Sequence, residues 1–372
     1  MDFSFTPEQE LLRRTARDVL ADVASIARVR AMAIDRAGLG DDDWRQMAAL
    51  GWQGLLFPEE YGGSNLGMPE LAIVLEEMGR ALVPGPFVGT VLAGLAILAA
   101  GSDAQRARWL PRLCDGTLRA TIAILEESGR WDTGGVGATA RPDGSALVIE
   151  GTKRFVPDAE RADLLVCAVR RADDGALALV VVEREARGLA IAPLASMDQT
   201  RLVADVTLDG VRVDAERILP RDAATVLERL LDRGRVMLAA DMSGGAERVL
   251  ELTVEYAKVR RQFGRAIGSF QAIQHQCADM LVEVEKARMA TSYAAWADAA
   301  DAADAGLAAA TAKALAGDAY RFVAARAIQV HGGIGFTWEH DLHLYFKRAQ
   351  SGEVTFGDAT WCRELAARRL GL

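Results

Sequence analysis

Leu164-Leu165-Val166-Cys167-Ala168-Val169-Arg170, a polar break at Arg171-Ala172-Asp173-Asp174-Gly175, and then Ala176-Leu177-Ala178-Leu179-Val180-Val181-Val182-Glu183 form the stretch on which the fold turns. Two short runs rich in β-branched and apolar residues, joined through an Asp-Gly pair, read as two antiparallel strands and their turn. The same signature lies on both sides. Ala146–Glu150 and Val203–Leu208 are further strand-like runs, with Asp143-Gly144 and Asp209-Gly210 as turn signals beside them. No helical period intervenes between these runs. A parallel Rossmann sheet needs a crossover helix between strands, so the sequence predicts an antiparallel β-domain instead.

Outside this block the period changes to that of a helix. Thr6-Pro7-Glu8-Gln9 has the form of a capping box with proline at the first helical position, and Leu12, Ala16, Val19, Leu20 and Val23 then fall on one face. Leu71, Val74, Leu75 and Met78 make a second apolar stripe, and a third helix opens at Ser102 with Gln105 three residues on. Pro58-Glu59-Glu60-Tyr61-Gly62-Gly63 and Pro84-Gly85-Pro86 are loop signals between them. From about Asp222 the helical period returns and continues to the end; its Ala-rich part, Tyr293 to Ala316, reads as a tightly packed helix. Helices, strands and helices again give an α+β fold: an N-terminal helical domain over 1–119, a middle antiparallel β-domain over 120–220 and a C-terminal helical bundle over 221–372.

Composition narrows the partners. The chain has 372 residues, 51% hydrophobic and 26% charged, enough for one large core and far from a disordered composition. A net charge of -9 argues against nucleic acid or an anionic membrane as a partner, although a local basic pocket for an anionic ligand is compatible with it. Met1-Asp2-Phe3-Ser4-Phe5 lacks the basic and apolar regions of a secretory signal, and the longest apolar stretch, Phe87 to Ala100, is too short to cross a bilayer. Cys114, Cys167, Cys277 and Cys362 are scattered, as expected of reduced thiols in a cytoplasm. Walker-type and G-x-S-x-G motifs are absent from the sequence.

Four features together resemble the acyl-CoA dehydrogenase family over nearly the whole length. They are Met1–Leu20 with Leu55–Gly63; Tyr256-Ala257-Lys258-Val259-Arg260-Arg261-Gln262-Phe263-Gly264 followed by Ile267–His275; Gln329-Val330-His331-Gly332-Gly333-Ile334-Gly335-Phe336; and the order of the domains. The resemblance implies an N-terminal helical domain, a middle β-domain and a C-terminal four-helix bundle, usually in a tetramer. It implies FAD as cofactor and an acyl-CoA as substrate, which loses a proton from Cα to a carboxylate and a hydride from Cβ to flavin N5. In such enzymes the FAD lies across a subunit interface, with its pyrophosphate end on one subunit and its ring mainly in the other.

Carried onto this sequence, the pyrophosphate half is complete. Arg260 would pair with the diphosphate beside Gln262 and Phe263, and Phe270, Gln271, Gln329, Gly332 and Gly333 would line the rest. The ring half is altered. Where the family has a Thr-Glu-Pro-Gly-rich loop, this chain has Glu126-Glu127-Ser128-Gly129-Arg130-Trp131-Asp132, with Glu126 in place of the flavin-facing hydroxyl. Where an aromatic-Ile-Thr/Ser segment would donate to N5, it has Phe155-Val156-Pro157, and a proline offers neither hydroxyl nor N–H.

The family places its catalytic Glu at one of two positions, which here hold Phe356 and Gly234. Glu353, Asp358 and Asp241 are conceivable substitutes; Glu353 is the foremost, because it could share the helix face leading into the site. His340 and His343, spaced three apart beside Asp341, read as part of a surface helix rather than a metal site, and His331 as a packing residue near the cofactor. The pattern resembles the base-lacking subunit of a heterotetrameric acyl-CoA dehydrogenase, a class that often handles bulky acyl groups such as steroid side chains. Its partners would be a homologous catalytic subunit, the acyl-CoA, and an electron acceptor such as an electron-transfer flavoprotein. Two alternatives stay open: a self-sufficient homo-oligomeric dehydrogenase using Glu353, and a non-enzymatic acyl-CoA-binding scaffold.

Overall fold

The structure, a computed structural model, describes residues 5–372, so Met1–Ser4 of the opening stretch lie outside the described residues. Six helices come first: α1 (Pro7–Val23), α2 (Ile26–Asp35), α3 (Asp41–Ala49), α4 (Met68–Arg80), α5 (Phe87–Ala100) and α6 (Asp103–Cys114). The capping boxes are formed. Thr6 and Gln9 exchange side-chain and backbone hydrogen bonds at the start of α1, as Ser102 and Gln105 do at the start of α6. The predicted stripe of α4 is fully buried, with Leu71, Val74, Leu75 and Met78 all in the core.

Eight strands follow, β1 (Ala120–Ala123), β2 (Thr139–Asp143), β3 (Ala146–Pro157), β4 (Leu164–Arg171), β5 (Leu177–Glu183), β6 (Leu189–Pro193), β7 (Val203–Val213) and β8 (Ile218–Leu219). They form one sheet in the order β6-β7-β3-β2-β4-β5-β8, with β1 also on β4. The sheet is antiparallel except that β1 and β2 run parallel to β4. The β4–β5 pairing is the hairpin read from the sequence. Alternate residues of β4 serve two cores: Leu164, Val166 and Ala168 face the helices, while Leu165, Cys167 and Val169 join residues of β3 and β7. Burial on both faces explains why this strand is a continuous apolar run.

The C-terminal part comprises α7 (Ala223–Val259), a small hairpin of β9 (Arg261–Gln262) and β10 (Arg265–Ala266), then α8 (Gln271–Ala299), α9 (Ala305–His331), α10 (Leu342–Val354) and α11 (Ala359–Arg369). Helices α7, α8 and α9 pack on one another, α10 and α11 pack on α9, and α4 lies along α7. The α4–α7 crossing depends on two glycines. A Cβ on Gly79 would lie 1.9 Å from the Asp241 carbonyl oxygen, and one on Gly244 would lie 1.8 Å from that of Glu76. The absence of both side chains lets the two backbones touch, and this contact fixes one wall of the site described below.

Three expectations need correction. Asp209-Gly210 is no turn: it lies inside β7, where Ile149 pairs with Val211 and Glu150 with Asp209, leaving Gly210 as a bulge with φ 64°. The Ala-rich segment is not one helix, because it breaks between α8 and α9. Asp298 and Asp301 there accept from Arg233 and Arg229 of α7, Tyr293 donates to Asp304, and Asp301 takes φ 48°. Acidic residues spaced through alanines thus make a loop where composition suggests continuity. His343 is buried rather than on a surface helix, edge-on to Trp338 at 4.7 Å.

Candidate functional site

The residues expected to hold a pyrophosphate gather at one end of α7, α8 and α9. Gln262 and Arg265 pair across a two-residue turn whose central residues, Phe263 and Gly264, both have positive φ, a type I′ geometry. The Arg260 carbonyl accepts from Ile267 N at 2.8 Å, which folds the hairpin back toward the start of α8. Tyr256 stacks on His331 at 4.2 Å, joining the end of α7 to the end of α9 and to Gly332 and Gly333 beyond it. His331 anchors itself through Nδ1 to the Ala327 carbonyl oxygen at 2.8 Å. Burial lowers its pKa, as suits a packing residue.

This surface is open. Arg260, Gln262, Gln271, Gln329, Gly332 and Gly333 are exposed, Phe270 is half-buried, and Phe263 is 92% exposed although it meets Phe270 edge-on. Phe270 also carries the Arg265 guanidinium 4.0 Å above its ring. Among the described residues, none of the ion pairs involves Arg260, Arg261 or Arg265. A Cβ added at Gly332 or Gly333 would meet nothing within 4 Å. Unpaired guanidinium groups beside bare backbone suit an anionic, phosphate-like group, so this half of the cofactor fits.

The ring half is built differently. Glu126 does not point outward; its carboxylate accepts from the backbone N–H of Gly137 and Ala138, each at 2.9 Å, and from Lys153 Nζ at 2.5 Å. Lys153 is wholly buried, also donates to the Ala168 carbonyl oxygen at 2.5 Å, and has its pKa lowered by burial against the opposing pull of Glu126. Glu126 is therefore tied into the sheet as the counter-charge of a buried lysine. Phe155 sits at an irregularity of β3 with φ 50°, and the Pro157 carbonyl oxygen accepts from Thr121 at 2.6 Å. None of the Phe155, Val156 and Pro157 side chains carries a hydroxyl or N–H, so the N5 donor that the resemblance implies has no side-chain counterpart here.

The two positions at which the resemblance expects a base, Phe356 and Gly234, touch each other. A Cβ on Gly234 would lie 3.0 Å from the Phe356 ring, and that ring meets Trp131 edge-on at 5.1 Å. Arg235, itself buried, donates to the carbonyl oxygens of Phe356 and Trp131, each at 3.1 Å, and clamps the group together. Glu353 does not share the inward face, contrary to expectation. Its carboxylate accepts from Ala359 N at 3.2 Å at the start of α11 and lies 3.6 Å from Arg321, while its carbonyl oxygen accepts from the buried Lys313. The lysine is pushed down to about 8 by burial. Asp358 caps α11 by accepting from Trp361 N at 2.7 Å.

Phe356, Trp131 and Phe155 line a cavity of about 610 Å³ between α4, α5, the sheet and α10. Its apolar wall includes Leu75, Met78 and Phe87, and its polar end holds Asp158, Asp198, Arg201 and Asp241. Asp241 pairs with Arg201 at 2.7 Å and with the buried Arg348 at 3.4 Å. Asp198 accepts from Thr200 N at 2.9 Å and lies 3.3 Å from Arg348. Asp158 has no ion-pair partner; one oxygen of each of the three carboxylates, Asp158 Oδ1, Asp198 Oδ2 and Asp241 Oδ2, is buried without a hydrogen bond, and burial pushes the Asp158 carboxyl up to about 7. Sequence reasoning missed Asp158, Arg201 and Lys153. Lysine at an inward position of a strand is the signal that could have flagged the Lys153–Glu126 pair; Asp158 carries no such signal.

A helical–β–helical chain with an open end of unpaired guanidinium groups and an apolar cavity is the scaffold of a flavin-dependent acyl-thioester oxidoreductase. Residues 6–117 match the family model described as acyl-CoA dehydrogenase, N-terminal domain, and residues 224–371 match acyl-CoA dehydrogenase, C-terminal domain. The chain belongs to the acyl-CoA dehydrogenase family, and FAD is the cofactor that the family implies. It is 39% identical to acyl-CoA dehydrogenase IpdE2 of Mycobacterium tuberculosis, over 92% of this chain and 91% of that protein. Among solved structures, it superposes on a variant of the Tcur3481–Tcur3483 steroid ACAD with a TM-score of 0.89 and 34% identity, over 98% of each chain. It superposes on the ChsE4–ChsE5 complex from Mycobacterium tuberculosis with a TM-score of 0.91 and 29% identity, over 100% of this chain and 99% of that one. Among the described residues, no helix is long and apolar enough to cross a membrane.

Proposed function

We propose that this chain is the base-lacking subunit of a heteromeric, FAD-dependent acyl-CoA dehydrogenase, with its three domains divided near residues 119 and 220. It contributes Arg260, Gln262, Phe263, Phe270, Gln271, Gln329, Gly332 and Gly333 to the pyrophosphate end of a FAD. A homologous partner subunit contributes the ring site, the catalytic Glu and the acyl-CoA pocket. When bound, the FAD supplies the hydride acceptor. The residues of this chain hold its phosphates and take no proton from the substrate. In this reading the electron acceptor would be a protein such as an electron-transfer flavoprotein. The steroid ACAD and the ChsE4–ChsE5 pair among the similar structures support a bulky acyl group and an unlike partner.

The observation that carries this reading is the contact between Gly234 and the Phe356 ring, with no carboxylate at either position. Glu353 tests it. If Glu353 were the base, Glu353→Gln would slow flavin bleaching by a good acyl-CoA substrate by ~10²–10⁴. The expected result, in the complex with FAD content and assembly unchanged, is a rate within a few-fold of normal. Replacing the partner's Glu should abolish bleaching instead. A large loss in Glu353→Gln would make this chain the catalytic subunit.

A further inference from the structure

Three of the four histidines in the chain, His331, His340 and His343, stand around one short segment, Gly332 to Asp341, that joins α9 to α10. His331 and His340 meet edge-on with ring centroids 4.7 Å apart, and His343 meets Trp338 in the same way at 4.7 Å. The segment leaves α9 through Gly332, whose φ of 65° ends the helix, and its Phe336 and Trp338 are exposed. Arg30 of α2 also ties it down, donating to the Trp338 carbonyl oxygen at 2.5 Å and to Asp341 at 2.7 Å.

Each ring is kept neutral by what it touches. His340 accepts through Nδ1, at 3.2 Å, from the backbone N–H of Leu342 at the start of α10. A protonated imidazole has no acceptor, so protonation costs α10 this bond. A carbonyl oxygen only accepts, so His331 Nδ1 carries the proton it gives to Ala327, and Nε2 is left buried without a partner. A proton added there would be a buried, unpaired N–H. Both ring nitrogens of His343 are buried without a hydrogen bond.

The surrounding charges act in the same direction. Arg30 of α2 bears on His340 and His343, Lys347 of α10 bears on His343, and His331 and His340 bear on each other. Asp341 opposes them but is paired with Arg30, and Glu339 turns to Thr337. From α7, Tyr256 presents its ring face to His331, and Arg248 faces Tyr345 and Asp341 across a small hollow. Burial first, and these like charges after it, hold all three imidazoles below their ordinary value of about 6.5.

We propose that His331, His340 and His343 form an acid-sensitive latch: neutral, they fasten the Gly332–Asp341 segment to α7, α9 and α10, and protonated, they release it. Released rings take up protons at their ordinary value, so closure is fully favoured above about pH 6.5 and is lost as pH falls from there. Gly332 and Gly333 head the segment, so on the half-site reading acid would also loosen the flavin phosphate site. Opening of the latch needs neither flavin nor partner, so its failure and the failure of that reading are distinguishable.

Hydrogen exchange of the full chain without flavin, at about pH 7.5 and about pH 5.5 and corrected for the rate of free amides, measures the opening of residues 332–341. Between these two pH values, each imidazole that is neutral only when closed raises the opening constant by up to about tenfold. Protection of the segment should fall at least about tenfold, while that of β4 and β5 stays within about threefold. His340→Asn keeps an acceptor for the Leu342 N–H and cannot ionise, and His343→Phe keeps an aromatic edge toward Trp338. In the double variant the fall should be smaller than in the unaltered chain by at least about fivefold. The comparison of the segment with β4 and β5 uses the unaltered chain alone and stands if the variant does not fold. Unchanged protection of the segment, a fall shared equally by β4 and β5, or an undiminished fall in the double variant would each overturn the proposal.

Discussion

At the scale of single residues, Phe356 and Gly234, the two positions where the resemblance expects a base, are fitted to each other. Phe356 needs volume and Gly234 leaves it. Gly234→Ala places a methyl 3.0 Å from a buried ring that Trp131 and Arg235 hold in place. Overpacking of this kind costs about 1–3 kcal/mol, which we expect as a lowered urea midpoint. In a Phe356→Gly background, where the ring is gone and the backbone at φ 59° suits glycine, the same alanine should cost much less. An unchanged cost would mean that the ring is not what the methyl meets. Arg260 makes the opposite prediction. Its exposed side chain supports no part of the fold, so Arg260→Ala should leave thermal stability intact. It should weaken FAD retention in the complex by roughly 1.5–3 kcal/mol, the value of a charge-assisted bond. Unchanged flavin retention would remove Arg260 from the phosphate site.

At the scale of elements, the α4–α7 crossing brings charge into the core along with its glycines. Glu76 and Glu77 of α4 meet Arg13 of α1, and Arg80 meets Glu247 and Glu251 of α7. Glu76 is buried, with Arg13 3.8 Å away, and burial pushes its carboxyl from 4.5 up to about 7. The folded chain therefore holds this proton more tightly than the unfolded chain. The stability it contributes is full below about pH 4.5, falls as pH rises to about 7, and is level above that, a total on the order of 3 kcal/mol. Glu76→Gln cannot ionise, so its stability relative to the unaltered chain should be greater at pH 8 than at pH 5 in urea unfolding. A pH-independent difference would show that Glu76 is not protonated when folded. Elements of this kind were legible where local chemistry decides them. The caps at Thr6 and Ser102, the α4 stripe and the β4–β5 hairpin all follow from residues within a turn or two of one another. Strands β1, β2 and β6 escaped because four- and five-residue segments carry little pattern, and their pairing to β4 or β7 comes from distant sequence. The Lys153–Glu126 pair and the unpartnered Asp158 escaped for the same reason, since their meaning lies in what the fold brings beside them.

At the scale of the whole molecule, the chain presents two unlike surfaces to a cofactor that must touch both kinds. The end of α7, α8 and α9 offers free guanidinium groups and bare glycine backbone to solvent. Where the resemblance expects a flavin ring, Glu126 is salt-bridged to Lys153, Phe155–Pro157 offers no side-chain donor and Phe356 packs on Trp131. Phosphate contacts alone are exposed to water and screened by salt, so they hold a dinucleotide weakly. The ring carries most of the apolar surface that would be buried, and on the proposed reading its burial occurs on another subunit. From this division the flavin content follows. Purified alone, the chain should carry little FAD and be nearly colourless. Co-purified with its catalytic partner, the complex should contain about one FAD per pair of unlike subunits, if, as proposed, each ring site takes one phosphate site from this chain and this chain offers no ring site in return. Absorbance at the flavin maximum, set against the molar amount of each subunit, gives the ratio directly. Near-stoichiometric FAD on the isolated chain, or two FAD per unlike pair, would mean that the altered ring half still binds, and the half-site reading would fall.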